Sequence, residues 1–388
     1  MNRLRILITN ITLSSRSGTE LYTRDLALKL LELGHIPMVF SPTLGKLAEA
    51  LRQAGVEVVR DVAEIQEPPD AIHGHHCLET MAALLQFPGV PAVFFCHDFS
   101  AWHDSPPQFP RIRRYVAVDD ACRERLSNCL NLELDAIEVL QNAVDLRRFR
   151  CRKKIRTQPK SALVFSNYVD HRHLRAIRIA TANRGISLDC VGAKIGGVSE
   201  SPQTLLHQYD IVFAKGRCAW EAIATGAAVI VSDADGLGSM VTSSELEHLR
   251  RLNFGRRLLR GSPTIEEVEH QLDRYDPADI TEVTKRVRTM ADLDLRASQL
   301  VDLYRKVIAE QKLALVNPIE DLRATAQFLN WWSVMRNQLV RERAKNKRWP
   351  QVLKRIFFNG YRRFAIKYPA LDHSFARLRK PIRFRKAA

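Results

Sequence analysis

The sequence predicts an α/β protein of two Rossmann-like lobes facing a cleft, extended by a basic helical tail. Three observations carry that expectation. Short β-branched runs alternate with helically spaced apolar residues through two separate stretches, and a basic, strand-free segment divides them. Nearly all of the net positive charge then lies from Arg336 onward.

The chain has 388 residues, which is room for two α/β domains and an appendage. Hydrophobic residues make up 46%, enough for real cores rather than a disordered chain. No apolar run approaches the ~20 residues that a membrane-spanning helix needs. The opening MNRLRILITNITLSSRSG reads as a strand and a polar loop, without the apolar region and cleavage site of a signal peptide. A cytoplasmic location is expected. Cysteines at 77, 96, 122, 129, 151, 190 and 218 contain no C-x-x-C pair. Buried reduced thiols are therefore expected, and neither a disulfide framework nor a structural zinc site.

The first stretch opens with a strand at LRILIT (4–9) and a helix from Thr19 to Leu33 that Gly34 terminates. PMVFSP, VEVVR, AIHGHH, PAVFFCHD and YVAVDD supply further strands, with a helix over Leu44–Gly55. The pattern breaks from Asn142 to Phe149, where an Asx-type turn is expected, and RCRKKIRTQPK follows as a linker. A second set comprises ALVFS, a helix over His173–Arg184, SLDCVG, DIVFAK, a helix over Ala219–Thr225 and AAVIVSD; helices then run from Thr264 to about Gln311. Such alternation implies parallel sheets with ligands at the carboxyl ends of the strands. The expected divisions are a first lobe over 1–148, a second over 149–315 and a tail over 316–388.

Two patterns carry chemistry. The turn Arg16-Ser17-Gly18-Thr19-Glu20 lets backbone approach a ligand at Gly18, and the helix behind it offers free N–H groups to an anion. A plain tight turn reads the same way. More specific is Lys215-Gly216-Arg217-Cys218-Ala219-Trp220-Glu221-Ala222-Ile223-Ala224-Thr225-Gly226, followed by a second glycine loop at Gly236 and Gly238 that is expected to lead into another helix. Two adjacent strand–loop–helix crevices suit a nucleotide. Glu221 can accept the vicinal ribose hydroxyls, while backbone N–H groups with Lys215 or Arg217 meet the diphosphate. The alternative for Glu221 is an acid favoured by a helix dipole.

SGTELYTRDLALKLLELGH, NAVDLRRF and WEAIATGAAVIVSDADG, in this order, resemble the N-terminal glycine loop, inter-lobe segment and donor motif of family-4 retaining glycosyltransferases of the GT-B fold. The similarity covers roughly residues 4–311. It implies transfer of a sugar from a nucleotide-sugar donor to a glycan or lipid-linked acceptor, often in bacterial surface polysaccharide assembly. By the same resemblance Glu221 binds ribose, Gly18 lies near the diphosphate, and His97 faces the transferred sugar. The other reading of His97 is a strand-end histidine bonded to backbone. His75 and His76 match a common family segment at the cleft. The sequence departs from the family at Phe213, which stands where an earlier glutamate is usual, and in FSNYVDHRHLRA, where an Arg/Lys pair is usual. Arg172 is the nearest cation there, so Arg172, Lys215 or Arg217 is expected to offset the leaving diphosphate. No metal and no cofactor beyond the donor substrate is implied, since Asp233-x-Asp235 falls in the donor loop. A nucleotide-sugar epimerase and a catalytically silent assembly module are the alternatives.

From Arg336 to the end, 17 Lys and Arg stand against two acidic residues, leaving the rest of the chain nearly neutral. Trp331, Trp332, Trp349, Phe357, Phe358, Tyr361 and Phe364 interleave with that charge. The pattern suits an interfacial helix on an anionic membrane, peripheral to its inner face. A helix packed across the lobes is the alternative. No recognised nucleic-acid-binding module accompanies the charge.

Overall fold

The structure, a computed structural model, describes residues 3–169, 171–315 and 317–367; the side chains of Arg172, Arg343 and 345–367 also lie outside the description. The first lobe alternates β1 (Arg5–Thr9), α1 (Gly18–Glu32), β2 (Ile36–Phe40), α2 (Lys46–Gln53), β3 (Glu57–Val59), β4 (Ala71–His75), α3 (Cys77–Gln86), β5 (Ala92–Cys96), β6 (Ile112–Ala117), α4 (Asp120–Leu130) and β7 (Glu138–Val139). Its strands form one parallel sheet in the order β3-β2-β1-β4-β5-β6-β7. Ile6, Leu7 and Ile8 are all fully buried, as a strand covered on both faces requires. Gly34, at φ 82°, supplies the left-handed turn that stops α1.

The second lobe contains β8 (Ser161–Phe165), α5 (His171–Asn183), β9 (Ser187–Val191), α6 (Pro202–Leu206), β10 (Ile211–Ala214), α7 (Gly216–Ala224), β11 (Ala228–Asp233), β12 (Gly236–Met240), α8 (Leu246–Arg251), α9 (Ile265–Leu272) and α10 (Pro277–Met290). The sheet order is β12-β11-β10-β8-β9, parallel except for β12. Here the sequence expectation is corrected. Gly236 and Gly238 do not form a loop into a helix; they belong to β12, antiparallel to β11. A Cβ on Gly236 would fall 2.0 Å from the Gly261 carbonyl oxygen, and one on Gly238 would fall 2.9 Å from that of Leu258. Close backbone packing, rather than a ligand, needs these glycines.

The chain crosses between lobes twice, side by side. Val144 N–H donates to Ala291 O at 2.7 Å, and Leu293 N–H donates to Val144 O at 3.1 Å. The expected Asx turn is present, with Asp145 Oδ1 accepting from the N–H groups of Arg147 and Arg148. After the return crossing, α11 (Leu293–Leu313) packs Leu300, Val301, Tyr304 and Val307 into the core of the first lobe. The sequence division at 315 thus differs from the packing, because α11 follows the second lobe in sequence but covers the first sheet. Of the cysteines, Cys77, Cys96 and Cys122 are buried as expected, whereas Cys129 and Cys151 are exposed; all seven are free thiols.

The chain up to Asp321 forms one compact unit and the residues beyond it a second. α12 (Pro318–Lys367) begins in the first and makes up the described part of the second. Its Leu322, Leu329, Val334 and Val340 are exposed, and Trp331 packs against Phe328 and Trp332. Among the described residues no helix is long and apolar enough to cross a membrane. Of the tail aromatics, the side chains of Trp349, Phe357, Phe358, Tyr361 and Phe364 lie outside the described residues, as does everything from 368 onward.

Candidate functional site

Strand order reverses between β1 and β4 in the first sheet and between β8 and β10 in the second. Crevices open at such switch points, beyond the carboxyl ends of the strands. The loops after β1, β5, β8, β9, β10 and β11 meet around one cavity of about 560 Å³. That volume is ordinary for a small-molecule site. Gly18, His97, Lys215, Gly216, Arg217 and Glu221 all line it; Gly236 and Gly238 do not. Arg172 lies outside the residues whose side chains are described.

Gly18 opens α1 and lines the cavity, and a Cβ there would touch nothing within 4 Å. The turn before it is tied by Glu20, whose carboxylate accepts from Ser17 N–H at 2.9 Å and from Ser15 Oγ at 2.6 Å. Gly216 has φ 55°, which favours glycine, but its N–H already donates to Phe254 O at 3.1 Å. It therefore shapes the loop and offers no free donor.

Glu221 sits in α7, buried yet lining the cavity. Its Oε1 accepts from Arg217 Nε at 2.8 Å. Arg217 is 9% exposed at its side chain and also donates to Asp25 of α1, in the other lobe. Burial alone would raise the Asp25 pKa, but Arg217, Arg24 and Arg148 outweigh it and hold it at about 2. Burial raises the Glu221 pKa, against the pull of Arg217. Lys215 Nζ lies 2.5 Å from Asp233 Oδ2 and 5.2 Å from the Tyr168 ring centroid. Both cations singled out in the donor motif are therefore already matched by protein carboxylates. Two lining cations to which the sequence assigned no role are not. Arg16 Nη2 donates only to the Glu200 carbonyl at 3.1 Å, and Lys194 Nζ only to that of Tyr168 at 3.4 Å; neither has a carboxylate partner among the described residues. Arg16 was legible two positions before Gly18. Lys194, in the loop after β9, carried no motif.

His97 follows β5 at the cleft. Its ring stands 4.6 Å from that of His75 and 4.9 Å from that of Tyr22, centroid to centroid. Burial lowers its pKa to about 3, so the imidazole is neutral, and Nε2 has no protein partner among the described residues. Asp104 Oδ2 sets the local backbone by accepting from the N–H groups of His97 at 3.0 Å and Asp98 at 2.6 Å. His75 and His76 are buried behind His97. His76, at φ 63°, points Nδ1 to the Ile11 N–H at 3.0 Å. His76, His103 and Asp104 bring ligand-type atoms within 4.8 Å of one another. The tautomer argues against a metal there: with Nδ1 accepting, neutral His76 keeps its proton on Nε2, the nitrogen 3.9 Å from Asp104 Oδ1. Phe213, at the departed glutamate position, is fully buried in the second-lobe core and presents nothing to the cleft.

Residues 16–148 match the family model described as Glycosyltransferase Family 4. The first lobe is glycosyltransferase-family-4-like. The whole two-lobed unit has the GT-B architecture. A Rickettsia africae ESF-5 glycosyltransferase is 15% identical with a TM-score of 0.53, over 79% of this chain and 99% of its own. Anabaena HepE, solved in complex with UDP-glucose, is 14% identical with a TM-score of 0.57, over 78% of this chain and 100% of its own. HepE in complex with UDP and glucose gives 14% and 0.56, over 78% and 99%. At these identities the likeness is one of fold. No curated protein matches the chain.

Proposed function

We propose that the chain is a glycosyltransferase that takes a sugar from a nucleotide-sugar donor and passes it to a glycan or lipid-linked acceptor. The carrying observation is Glu221: a buried carboxylate at the switch point of the second sheet, with Oε2 left without a protein donor among the described residues, beside a cavity of about 560 Å³. A carboxylate so placed suits vicinal ribose hydroxyls. The family match over the first lobe and the UDP-glucose bound by HepE support the same donor class.

In this reading the diphosphate lies between the N-terminus of α1 at Gly18 and the cations Arg16 and Lys194. Negative charge grows on the diphosphate as the sugar–phosphate bond breaks, and pre-placed N–H groups and cations stabilise it without reorganising. Lys215 and Arg217 act on the protein carboxylates instead of on phosphate. Neutral His97 can donate a hydrogen bond to a hydroxyl of the transferred sugar. Retention of anomeric configuration, a hexosyl donor and a role in bacterial surface polysaccharide assembly rest on the family resemblance. The basic tail supports a site of action at an anionic membrane surface.

Calorimetry against a panel of nucleotide sugars, followed by a product assay with glycan and lipid-linked acceptors, tests the reading. Binding of one donor and acceptor-dependent loss of its sugar are expected. Donor turnover with no acceptor present would instead indicate an epimerase, and binding of no panel member a silent assembly module.

A further inference from the structure

Arg217 is a largely covered guanidinium shared between the lobes. Its Nε–H donates to Oε1 of Glu221, one helical turn along α7, at 2.8 Å. Its Nη2 donates to Oδ2 of Asp25, on α1 of the first lobe. These two donors form one edge of the planar group, the edge that ordinarily grips both oxygens of a single carboxylate. Here the edge is divided between two acids. The division leaves Glu221 Oε2 without a protein donor among the described residues, on a side chain that lines the cleft.

Asp25 is well anchored for this task. Its Oδ1 accepts from Arg24 Nε at 2.8 Å and from Arg148 Nη1 at 3.3 Å. The buried Asp25 and Glu221 and the part-buried Arg24, Arg148 and Arg217 together carry three positive and two negative charges. Without the Asp25 charge, the second arm of Arg217 has one buried carboxylate oxygen among its described partners left to take, Oε2 of Glu221.

We propose that Asp25 is a positioning residue of the ribose site, which keeps Glu221 Oε2 open for a ribose hydroxyl by holding one arm of Arg217 across the cleft. The inference rests on the proposed function. It makes ribose recognition by the second lobe depend on a side chain of the first, so the site is complete only when the lobes are together.

The test compares UDP, GDP and ADP with their 2′,3′-dideoxy counterparts by calorimetry. The proteins are wild type, Asp25→Asn, Asp25→Glu and the double variant Asp25→Asn/Arg217→Gln. Wild type is expected to prefer at least one ribonucleotide over its dideoxy form about tenfold or more, the size of a hydrogen bond to a charged group. Asp25→Asn is expected to abolish that preference while leaving dideoxy affinity unchanged, and Asp25→Glu to keep it. The double variant removes the competing arm and preserves the net charge of this group, so it is expected to regain the preference. It also decides the matter if Asp25→Asn fails to fold. Preference retained in Asp25→Asn, equal weakening of both ligand types, or no recovery in the double variant would each overturn the inference while the donor assignment stands. If wild type binds none of the three nucleotides, the proposed function fails and takes the inference with it.

Discussion

Lys215, the N-cap residue of α7, holds Asp233, the last residue of β11, with Nζ and Oδ2 2.5 Å apart. Asp233 is almost fully buried and also accepts the Ser166 hydroxyl from the loop after β8. One ion pair thus fastens three cleft loops. Removing a single partner of such a pair strands the other charge, at a cost of about 3 kcal/mol. Lys215→Ala is expected to lower stability by about that much in urea unfolding, and Lys215→Met with Asp233→Asn to recover most of it. An unchanged midpoint in the single variant would mean that the pair is not a fastening.

Arg16 and Lys194 predict the opposite balance. Among the described residues each bonds only a backbone carbonyl, and both reach the cleft. Arg16→Ala and Lys194→Ala are each expected to weaken nucleoside diphosphate binding about tenfold or more, with melting temperature unchanged. Calorimetry and thermal scans read both effects, and wild-type affinity in both variants would move the diphosphate elsewhere.

His75 predicts an acid limit to stability. Both ring nitrogens are buried without protein partners among the described residues, and burial, reinforced by His73, His97 and His76, lowers its pKa. The folded chain keeps this ring neutral, whereas the unfolded chain protonates it near pH 6.5. Its contribution is full above that pH and is lost as the pH falls toward the depressed folded value. His75→Phe is expected to gain about 2 kcal/mol on wild type between pH 8 and pH 5, read from urea midpoints. Equal pH slopes would contradict a neutral buried ring.

Asp104 has the reverse sign. Burial raises its pKa to about 7, against the pull of the N–H groups of Asp98 and His97. Stability from the protonated form is full below the unfolded carboxylate value near 4 and is lost as pH rises through about 7. Asp104→Asn, which retains a carbonyl acceptor, is expected to remove that loss. Its urea midpoint relative to wild type is therefore expected to rise from pH 4 to pH 8.

The tail is tested by sedimentation with phosphatidylglycerol and phosphatidylcholine vesicles. Each basic residue near an anionic surface is worth about 1 kcal/mol. The full chain is expected to pellet with the anionic vesicles at low salt and to release at high salt, and a chain lacking 336–388 to stay in solution. Equal sedimentation of both would remove the membrane reading.

Most of the architecture was legible because parallel strands buried on both faces leave continuous apolar runs, as in β1 and β11, and Gly34 marks a helix end. Gly236 and Gly238 were misread because glycine serves close packing and ligand approach equally, and only the Gly261 backbone at the first and the Leu258 carbonyl at the second distinguish the two roles. The placement of α11 was hidden because its buried residues specify a partner surface without naming which lobe supplies it. Glu221, Lys215 and Arg217 were visible as a motif. Their pairing was not, since Asp25 lies 192 positions before Arg217 in the chain, and no local spacing encodes a contact across a cleft.

The paired crossings at Val144 and Leu293 have a consequence for integrity. The exposed connection over 150–160 is only one of two covalent ties between the lobes, and the other returns through 291–293 into α11, which is embedded in the first core. A protease that nicks 150–160 therefore leaves two fragments that still interlock, the way a clasp stays shut after one thread is cut. New chain ends placed in that connection would leave the second crossing and its Val144 hydrogen bonds intact.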